Sequence, residues 1–263
     1  MNVERTKKVT SASKIVNVLN FVYPPIVLIG LLLILWEVLC IQNDIPTWKL
    51  AKPSDIVSVF AKNTQEILPQ IGITYLNIFI GFILAVVIGI FLAILISSFP
   101  LFASAVTPII VTLCCIPIIT LVPMLMLVFG LGSDVKIITI VIQAFPLVNM
   151  NAATAFMNVD PNKLELMKSL KATRIQQFRH CILKDALPGV FTGIKLAAIM
   201  SMLGGVTAEM TGGNTGIGAK ISYYIGFSKT PEALSCIIYI IFLGVILYGG
   251  VCILEKIFIK GKR

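Results

Sequence analysis

One stretch of the chain resembles a catalytic motif, the phosphate-binding loop of nucleotide hydrolases. It reads GNTGIGAK and runs from Gly213 to Lys220. In a true phosphate loop the Lys follows the last Gly directly, a Ser or Thr comes next, and a strand comes before. Here Ala219 separates Gly218 from Lys220, Ile221 follows, and a long apolar segment comes before. We therefore expect no nucleotide binding in this chain and interpret the stretch as a flexible external loop.

Residues that could bind a metal or form a catalytic set are equally sparse. The six cysteines are scattered without a CxxC pair, and the single histidine, His180, cannot complete a usual zinc set. The sequence also has no recognisable serine–histidine–acid set and no pair of catalytic carboxylates. We expect a non-enzymatic chain with neither a cofactor nor a metal of its own.

Four polar residues lie within or beside long apolar runs, where a polar group is a candidate functional residue. Glu37 and Glu209 fall near the predicted outer ends of their segments, where the alternative is a solvated interface residue. Glu209 borders the glycine-rich loop, and it either acts in gating or stabilises that loop. Gln143 and Asn149 share one segment and either join helices by hydrogen bonds or line a solute path. The pathway and gating candidates are Gln143, Asn149 and Glu209.

The elements that carry these residues are apolar enough to require a membrane. Of the 263 residues, 57% are hydrophobic and 13% are charged, whereas soluble domains have about 25% charged residues. Each spanning segment must be helical, because lipid offers the backbone no hydrogen-bond partner. Prolines inside the third and fourth segments predict kinked or broken helices, at Pro108, Pro117, Pro123 and Pro146. The six segments long enough to span are about 22–41, 71–97, 102–129, 135–157, 188–210 and 234–258.

The distribution of Lys and Arg predicts the orientation. Of the 21 basic residues, 14 flank the termini or lie in the 158–187 loop, six lie on the opposite side, and Lys195 lies inside a span. Cytoplasmic flanks carry such an excess, so the net charge of +9 indicates a membrane rather than a nucleic acid. We predict an all-α integral membrane protein with both termini cytoplasmic. Its parts are an N-terminal arm at 1–21, a first transmembrane helix at 22–41, an external loop at 42–70, a core of five transmembrane helices at 71–258, and a basic tail at 259–263.

The loop at 158–187 is basic and is punctuated as two short amphipathic helices. Asp160 and Pro161 predict a helix start, because Asp caps free N–H groups and Pro suits the first position. Thr173 and Gln176 have the spacing of a capping box, so a second helix begins there. Apolar residues recur at helical spacing on both helices: Leu166, Met167, Leu170, Ile175, Phe178 and Ile182. From the pattern alone the loop either lies on anionic headgroups or docks a cytoplasmic partner.

This loop also resembles the coupling loop of the membrane subunits of ABC importers that work with a soluble binding protein. Glu165 sits at the Glu of their Glu-Ala-Ala motif, and Ala172-Thr173-Arg174 resembles the segment after the motif's Gly. Four other stretches come in the order and spacing of the nitrate, sulfonate, taurine and thiamine-precursor branch. They are PSDIV from Pro53, FGLGSDVKI from Phe129, VDPNKLEL from Val159 and AEMTGGNTGIG from Ala208.

Four residues depart from the family pattern. The bulky pair Leu166-Met167 stands at the Ala pair, Lys171 stands at the Gly, and Lys184 stands at the Pro. If the turn at Lys171 requires a positive φ, a Lys costs about 1 kcal/mol there.

The resemblance implies a type I ABC importer-like permease in a prokaryotic cell membrane. It implies a second permease copy, here a homodimer, and cytoplasmic ATPase subunits that bind ATP and Mg and drive alternating access through the loop. It also implies an external binding protein that delivers a sulfonate, a nitrate-like anion, or a thiamine-precursor or riboflavin-like ring. The alternative is a stand-alone channel or secondary transporter whose basic loop binds lipid; inverted repeats or midplane charges would indicate it, and neither is visible. The residues implied in ATPase coupling are Asp160, Glu165, Leu166, Met167, Leu170, Lys171, Ala172, Thr173, Arg174, Ile175 and Phe178.

Overall fold

A computed structural model of the chain describes the backbone of residues 11–259 and the side chains of residues 23–259. Over residues 11–259 the chain is helical almost throughout and has no strand. The helices are α1 Ser11–Gln42, α2 Pro53–Ser98, α3 Pro100–Cys115, α4 Ile118–Phe129, α5 Ser133–Met157, α6 Pro161–Ser169, α7 Arg174–Gln177, α8 Leu183–Gly212, α9 Ile217–Gly226 and α10 Thr230–Ile259, with a π-helical turn at Phe178–Ile182 between α7 and α8.

Five of the six predicted spans are present as long apolar helices, and the third is divided into two helices. Four spans consist of α1, α2, α5 and α10, and a fifth runs without interruption from α7 through α8. A sixth crossing forms only if α3 and α4, bent by 99°, are taken together. Pro117 lies at this break, where its missing N–H and fixed φ stop the helix. The prediction of a broken third span is confirmed there, while Pro146 lies inside an uninterrupted α5. Counting the bent pair as one crossing gives six, an even number that places both ends of the described chain on the same side.

Two predicted boundaries differ from the structure. Helix α2 begins at Pro53, so residues 53–70, assigned to the external loop, form its first turns. Pro53 at the first helical position and Asp55 in the first turn explain this early start. Helix α1 begins at Ser11, inside the predicted arm. The remainder of the arm, residues 1–10, and residues 260–263 of the basic tail lie outside the described residues.

Helices α2, α5 and α8 form the packed centre of the chain. Their shared apolar core includes Ile78, Ile140 and Val148, none of which is more than 1% exposed. Helices α5 and α8 approach closely where α8 carries Gly189 and Gly193, because a Cβ added at Gly189 would lie 2.6 Å from that of Ala155. Small residues at this spacing permit the backbones of two helices to approach closely. The three helices therefore form the frame that positions every candidate site.

Candidate functional site

The loop between α5 and α8 begins as its cap signals predict. Asp160 accepts a hydrogen bond from the N–H of Asn162 at 3.0 Å, and Pro161 opens α6. At α7 the N–H of Thr173 donates to Oε1 of Gln176 at 2.8 Å, and the N–H of Gln176 donates back to Thr173 Oγ1 at 3.4 Å. The predicted capping box is confirmed.

The turn between α6 and α7 requires a left-handed residue. Lys171 has φ +54°, its N–H donates to the carbonyl of Lys168 at 2.9 Å, and the N–H of Ala172 donates to the carbonyl of Met167 at 3.0 Å. This pair of hydrogen bonds is the Schellman termination, in which Gly is the usual residue at the left-handed position. Lys171 therefore adopts there a conformation that costs a residue with a Cβ about 1 kcal/mol or more.

The second helix of the loop is joined to the membrane span. Helix α7 passes through the π-turn into α8, so the predicted separate helix is the first part of the fifth span. The ring of Phe178 packs on that of Phe156 at the end of α5, with centroids 5.6 Å apart. Lys163 on α6 pairs with Asp185 on α8 at 2.5 Å, and this hydrogen bond raises the pKa of Lys163. The loop is thus tied to α5 and α8 at its base.

The apolar residues that recur at helical spacing along the loop differ in their exposure. Leu166, Leu170 and Ile175 are 63%, 71% and 79% exposed, and we call these three side chains the ridge. Met167 is half-buried, and Phe178 packs inward on Phe156 rather than standing free. Ala172 is also half-buried, and the remaining coupling candidates are exposed around the ridge: Asp160, Glu165, Lys171, Thr173 and Arg174.

A cavity lies beside the break in the third crossing and contains one of the pathway candidates. Its walls include Cys114, Ile116 and Ile118 at the break, Gln143 and Pro146 on α5, and Met200 on α8. The amide nitrogen of Gln143 lies 3.9 Å from Met200 Sδ, and its Oε1 is buried without a hydrogen-bond partner in the described chain. None of the lining side chains carries a charge.

Asn149 joins two helices by a hydrogen bond, which is one of its two predicted roles. Its side chain is 2% exposed, and its Nδ2 donates to the carbonyl of Gly89 at 3.3 Å. It therefore joins α5 to α2, while Gln143 on the same helix lies at the cavity.

Glu209 is the centre of a buried polar cluster at the predicted outer end of the bundle. Its carboxylate is 1% exposed and accepts hydrogen bonds at 2.9 Å from Thr74 Oγ1 and from the N–H of Gly218. The ammonium of Lys136, 2% exposed, lies 3.8 Å from Oε1. A buried acid is tolerated when an opposite charge and hydrogen bonds surround it, as they do here.

The same cluster holds the glycine-rich loop in place. Lys136 donates to the carbonyl of Thr215 at 2.7 Å and to its Oγ1 at 2.9 Å. The N–H of Gly216 donates to Gln70 Oε1 at 2.6 Å, and the N–H of Ile217 donates to Thr74 Oγ1 at 2.8 Å. The expectation of a flexible loop is therefore wrong, because side chains from α2 and α5 bind its backbone. We call Gln70, Thr74, Lys136, Glu209 and the backbone of 215–218 the outer polar cluster.

Sequence reasoning missed three members of this cluster. In the sequence Lys136 contributes only to the predicted orientation, and no local pattern marks Gln70 or Thr74. The position of Lys136 just inside an apolar span is a signal that could have identified it as a site residue, because a buried Lys needs a partner. Glu37, the other acid, accepts hydrogen bonds from the N–H and Oγ of Ser54 at 3.1 and 2.7 Å, so it holds the start of α2.

Between residues 23 and 259 no three His, Cys, Asp or Glu side chains are placed to hold an ion.

Comparison with known proteins identifies a family. Residues 85–259 match the binding-protein-dependent transport system inner membrane component family. The chain is 28% identical over 261 residues to the nitrate import permease protein NrtB of Synechocystis, an alignment that covers 94% of each. It is 25% identical over 243 residues to the formylaminopyrimidine transport permease protein ThiX of Halalkalibacterium halodurans, covering 89% of this chain and 93% of that one.

Other matches cover less or are more distant. The putative aliphatic sulfonates transport permease protein SsuC of Bacillus subtilis is 30% identical over 148 residues, about half of each chain at 56% and 54%. Among solved structures, the inward-facing MetNI methionine ABC transporter matches with a TM-score of 0.64 and 16% identity, covering 73% of this chain and 95% of that one. That likeness shows a shared fold. The chain therefore belongs to the binding-protein-dependent transport system inner membrane components, the non-catalytic, multi-pass membrane subunits of ABC importers, whose ATP is hydrolysed by partner subunits.

Proposed function

We propose that this chain is the permease of an ATP-driven importer of a small solute, and that ATPase subunits drive it through the loop between α5 and α8. The observation that carries the proposal is the exposed ridge of Leu166, Leu170 and Ile175 on a loop that continues into a membrane span. Two ATPase subunits, a second permease copy and an external binding protein would complete the machine.

The ridge has the chemistry of a helix-in-groove contact. Three large apolar side chains, each more than 60% exposed, project from two short helices on the basic side of the protein. Apolar side chains with a charged surround suit a hydrophobic groove on a partner. Glu165 adds an acidic group beside the ridge, which a helix selected only for anionic headgroups would not favour.

The continuous helix from α7 into α8 can transmit a displacement of the ridge to the membrane span. Ile175 lies on α7, which continues through the π-turn into α8 without a break. Helix α8 carries Met200 at the cavity and Glu209 in the outer polar cluster. A displacement of the ridge by the ATPases would therefore displace the helix that lines the cavity. ATP, bound by the partner ATPases, must favour one position of α8 by binding more tightly to the importer in that position than in the other.

The cavity at the break is the place where we propose that the solute passes. A discontinuous crossing is tolerated at membrane depth where it lines a cavity or is covered by protein. Gln143 supplies the amide at this level, and Cys114 and Met200 supply polarisable sulfur. The named relatives import nitrate, aliphatic sulfonates or formylaminopyrimidine, which makes a small solute of that range the expected cargo.

The test of ATPase docking is Leu170→Asp, alone and with Ile175→Asp. A buried Leu contributes about 1.5–3 kcal/mol, so we expect at least 10-fold less ATPase subunit to co-purify with the permease in detergent. The control is Lys168→Asp, which places the same acid on the opposite face of α6 and should leave recovery unchanged. Phe178 is unsuitable for this test because it packs on Phe156.

Two results would decide against the proposal. Equal recovery of ATPase with wild type and Leu170→Asp would remove the ridge as the docking site. If instead no ATPase subunit accompanies the wild-type protein, and Leu170→Asp weakens its binding to anionic vesicles, the lipid-binding alternative is favoured.

A further inference from the structure

We infer that Lys136 is a positioning residue: with Glu209 it holds the outer ends of α5 and α8 together and seats α9 over them, so that the outer polar cluster keeps this end of the path shut. The inference rests on the proposed function and adds an outer closure to it, and its main test measures labelling beneath the outer polar cluster rather than ATPase docking.

The cluster lies on the same helix pair as the cavity. Lys136 and Gln143 are seven residues apart on α5, which is close to two turns, so both face the same direction. That direction is toward α8, because Gln143 contacts Met200 and Lys136 contacts Glu209. The α5–α8 interface therefore has a cavity at mid-depth and an ion pair about two turns, or roughly 10 Å, farther out.

The cluster is built so that separating α5 from α8 would break it entirely. Lys136 and Glu209 come from the two helices, and each is 2% exposed or less. Thr74 on α2 donates to Glu209 and accepts from Ile217 of α9, so its hydroxyl joins three elements. Separating the helices would leave the ammonium and the carboxylate unpaired at the same moment. This favours two discrete positions of the helices over a continuous range of positions.

The backbone at the start of α9 is shaped around the carboxylate. Gly216 has φ +102°, and a Cβ added there would overlap the carboxylate of Glu209. A Cβ added at Gly218 would lie 2.7 Å from the Cβ of Glu209. The two glycines thus allow the N-terminus of α9 to close on Glu209, and α9 depends on that contact for its position.

The test is the accessibility of a buried reporter beneath the cluster. Thr139 is 0% exposed and lies one turn inward of Lys136 on α5. In an assembled importer whose native cysteines have been replaced, Thr139→Cys is exposed to a membrane-impermeant maleimide added from outside. We expect slow labelling with Lys136 present and at least 10-fold faster labelling with Lys136→Met or Glu209→Gln.

Three controls separate closure from general loosening. Lys136→Arg keeps the charge and should restore labelling to within 3-fold of the parent. Lys220→Met removes a surface pair with Glu66 outside the cluster and should have no effect. Ser235→Cys, a second reporter that is 0% exposed on α10, should label slowly in every variant.

The outcomes that overturn the inference are distinct from failure of the proposed function. Faster labelling at both reporters means that Lys136 supports folding in general, and unchanged labelling at Thr139→Cys means that the cluster closes nothing. Trapping the ATPases with ATP and vanadate should open the outer end and speed labelling with Lys136 intact. If the cluster variants respond and the trapped wild type does not, the closure stands and the proposed drive by ATP fails.

Discussion

Replacing Lys171 by Gly should stabilise the turn between α6 and α7. Lys171 lies at φ +54° in the left-handed position of a Schellman termination, and its side chain is exposed. A side chain with a Cβ costs about 1–2 kcal/mol in that conformation, whereas Gly adopts it freely. The side chain of Lys171 is exposed, so the substitution measures the free-energy cost of the left-handed backbone conformation by itself.

The expected gain follows from two opposing effects. Relief of the left-handed backbone contributes about 1–2 kcal/mol, and the greater freedom of Gly in the open chain removes about 0.4–1 kcal/mol. The net gain of about 0.5–1 kcal/mol makes local opening of the turn roughly 2- to 5-fold rarer. The reporting amide is that of Ala172, whose N–H donates to the carbonyl of Met167 at 3.0 Å.

Hydrogen exchange measured by mass spectrometry on peptides covering 161–173 is the assay. We expect Lys171→Gly to slow exchange at Ala172 and in the last turn of α6 by that factor. The matched control is Lys171→Ala, which removes the same charge and stem but still needs a positive φ, so its exchange should stay close to that of the parent. If Ala protects the turn as well as Gly does, or if Gly speeds exchange, the strain argument is refuted.

Three further substitutions test other parts of the fold. Thr173→Ala removes the capping hydroxyl and should cost α7 about 1 kcal/mol, measured as about 5-fold faster exchange at residues 174–178. Asn149→Leu removes the inter-helix hydrogen bond to the Gly89 carbonyl and should lower the melting temperature in detergent, with a cost of about 0.5–1.5 kcal/mol for that lost bond. Gly189→Ala puts a Cβ 2.6 Å from that of Ala155 and should cost about 1–3 kcal/mol, whereas Gly249→Ala on α10 has nothing within 4 Å and should not lower the melting temperature.

The spans could be predicted because lipid permits so few structures. A long apolar segment must be helical, and its length identifies it without knowledge of its neighbours. The location of the break was less predictable, since four prolines carried the same local signal. Pro117 ends a helix, while Pro146 is accommodated inside α5. Packing against neighbouring helices decides between these outcomes, and that packing is not a local property of the sequence.

In the candidate sites, too, local interactions could be predicted from the sequence, whereas contacts between distant segments could not. Caps at Asp160 and Thr173 act over three residues, so the sequence carries the whole interaction. The inward orientation of Phe178 could not be predicted, because helical spacing identifies a face but not what covers it. Gln70 and Gly216 are 146 residues apart in the chain, and no local pattern announces such a contact.

The wide separation of the partners in the outer polar cluster also has a consequence for synthesis. Thr215, to which Lys136 donates, comes 79 residues later in the chain. At about 5–20 residues per second, Lys136 waits roughly 4–16 s for its partners to leave the ribosome. During that interval the ammonium must stay at the water-facing rim, because a lone Lys at the centre of a bilayer costs about 2.5–3.5 kcal/mol or more. The outer polar cluster therefore cannot form before the chain has been made as far as Thr215, and a chain that stops before α8 leaves Lys136 without Glu209, its ion-pair partner.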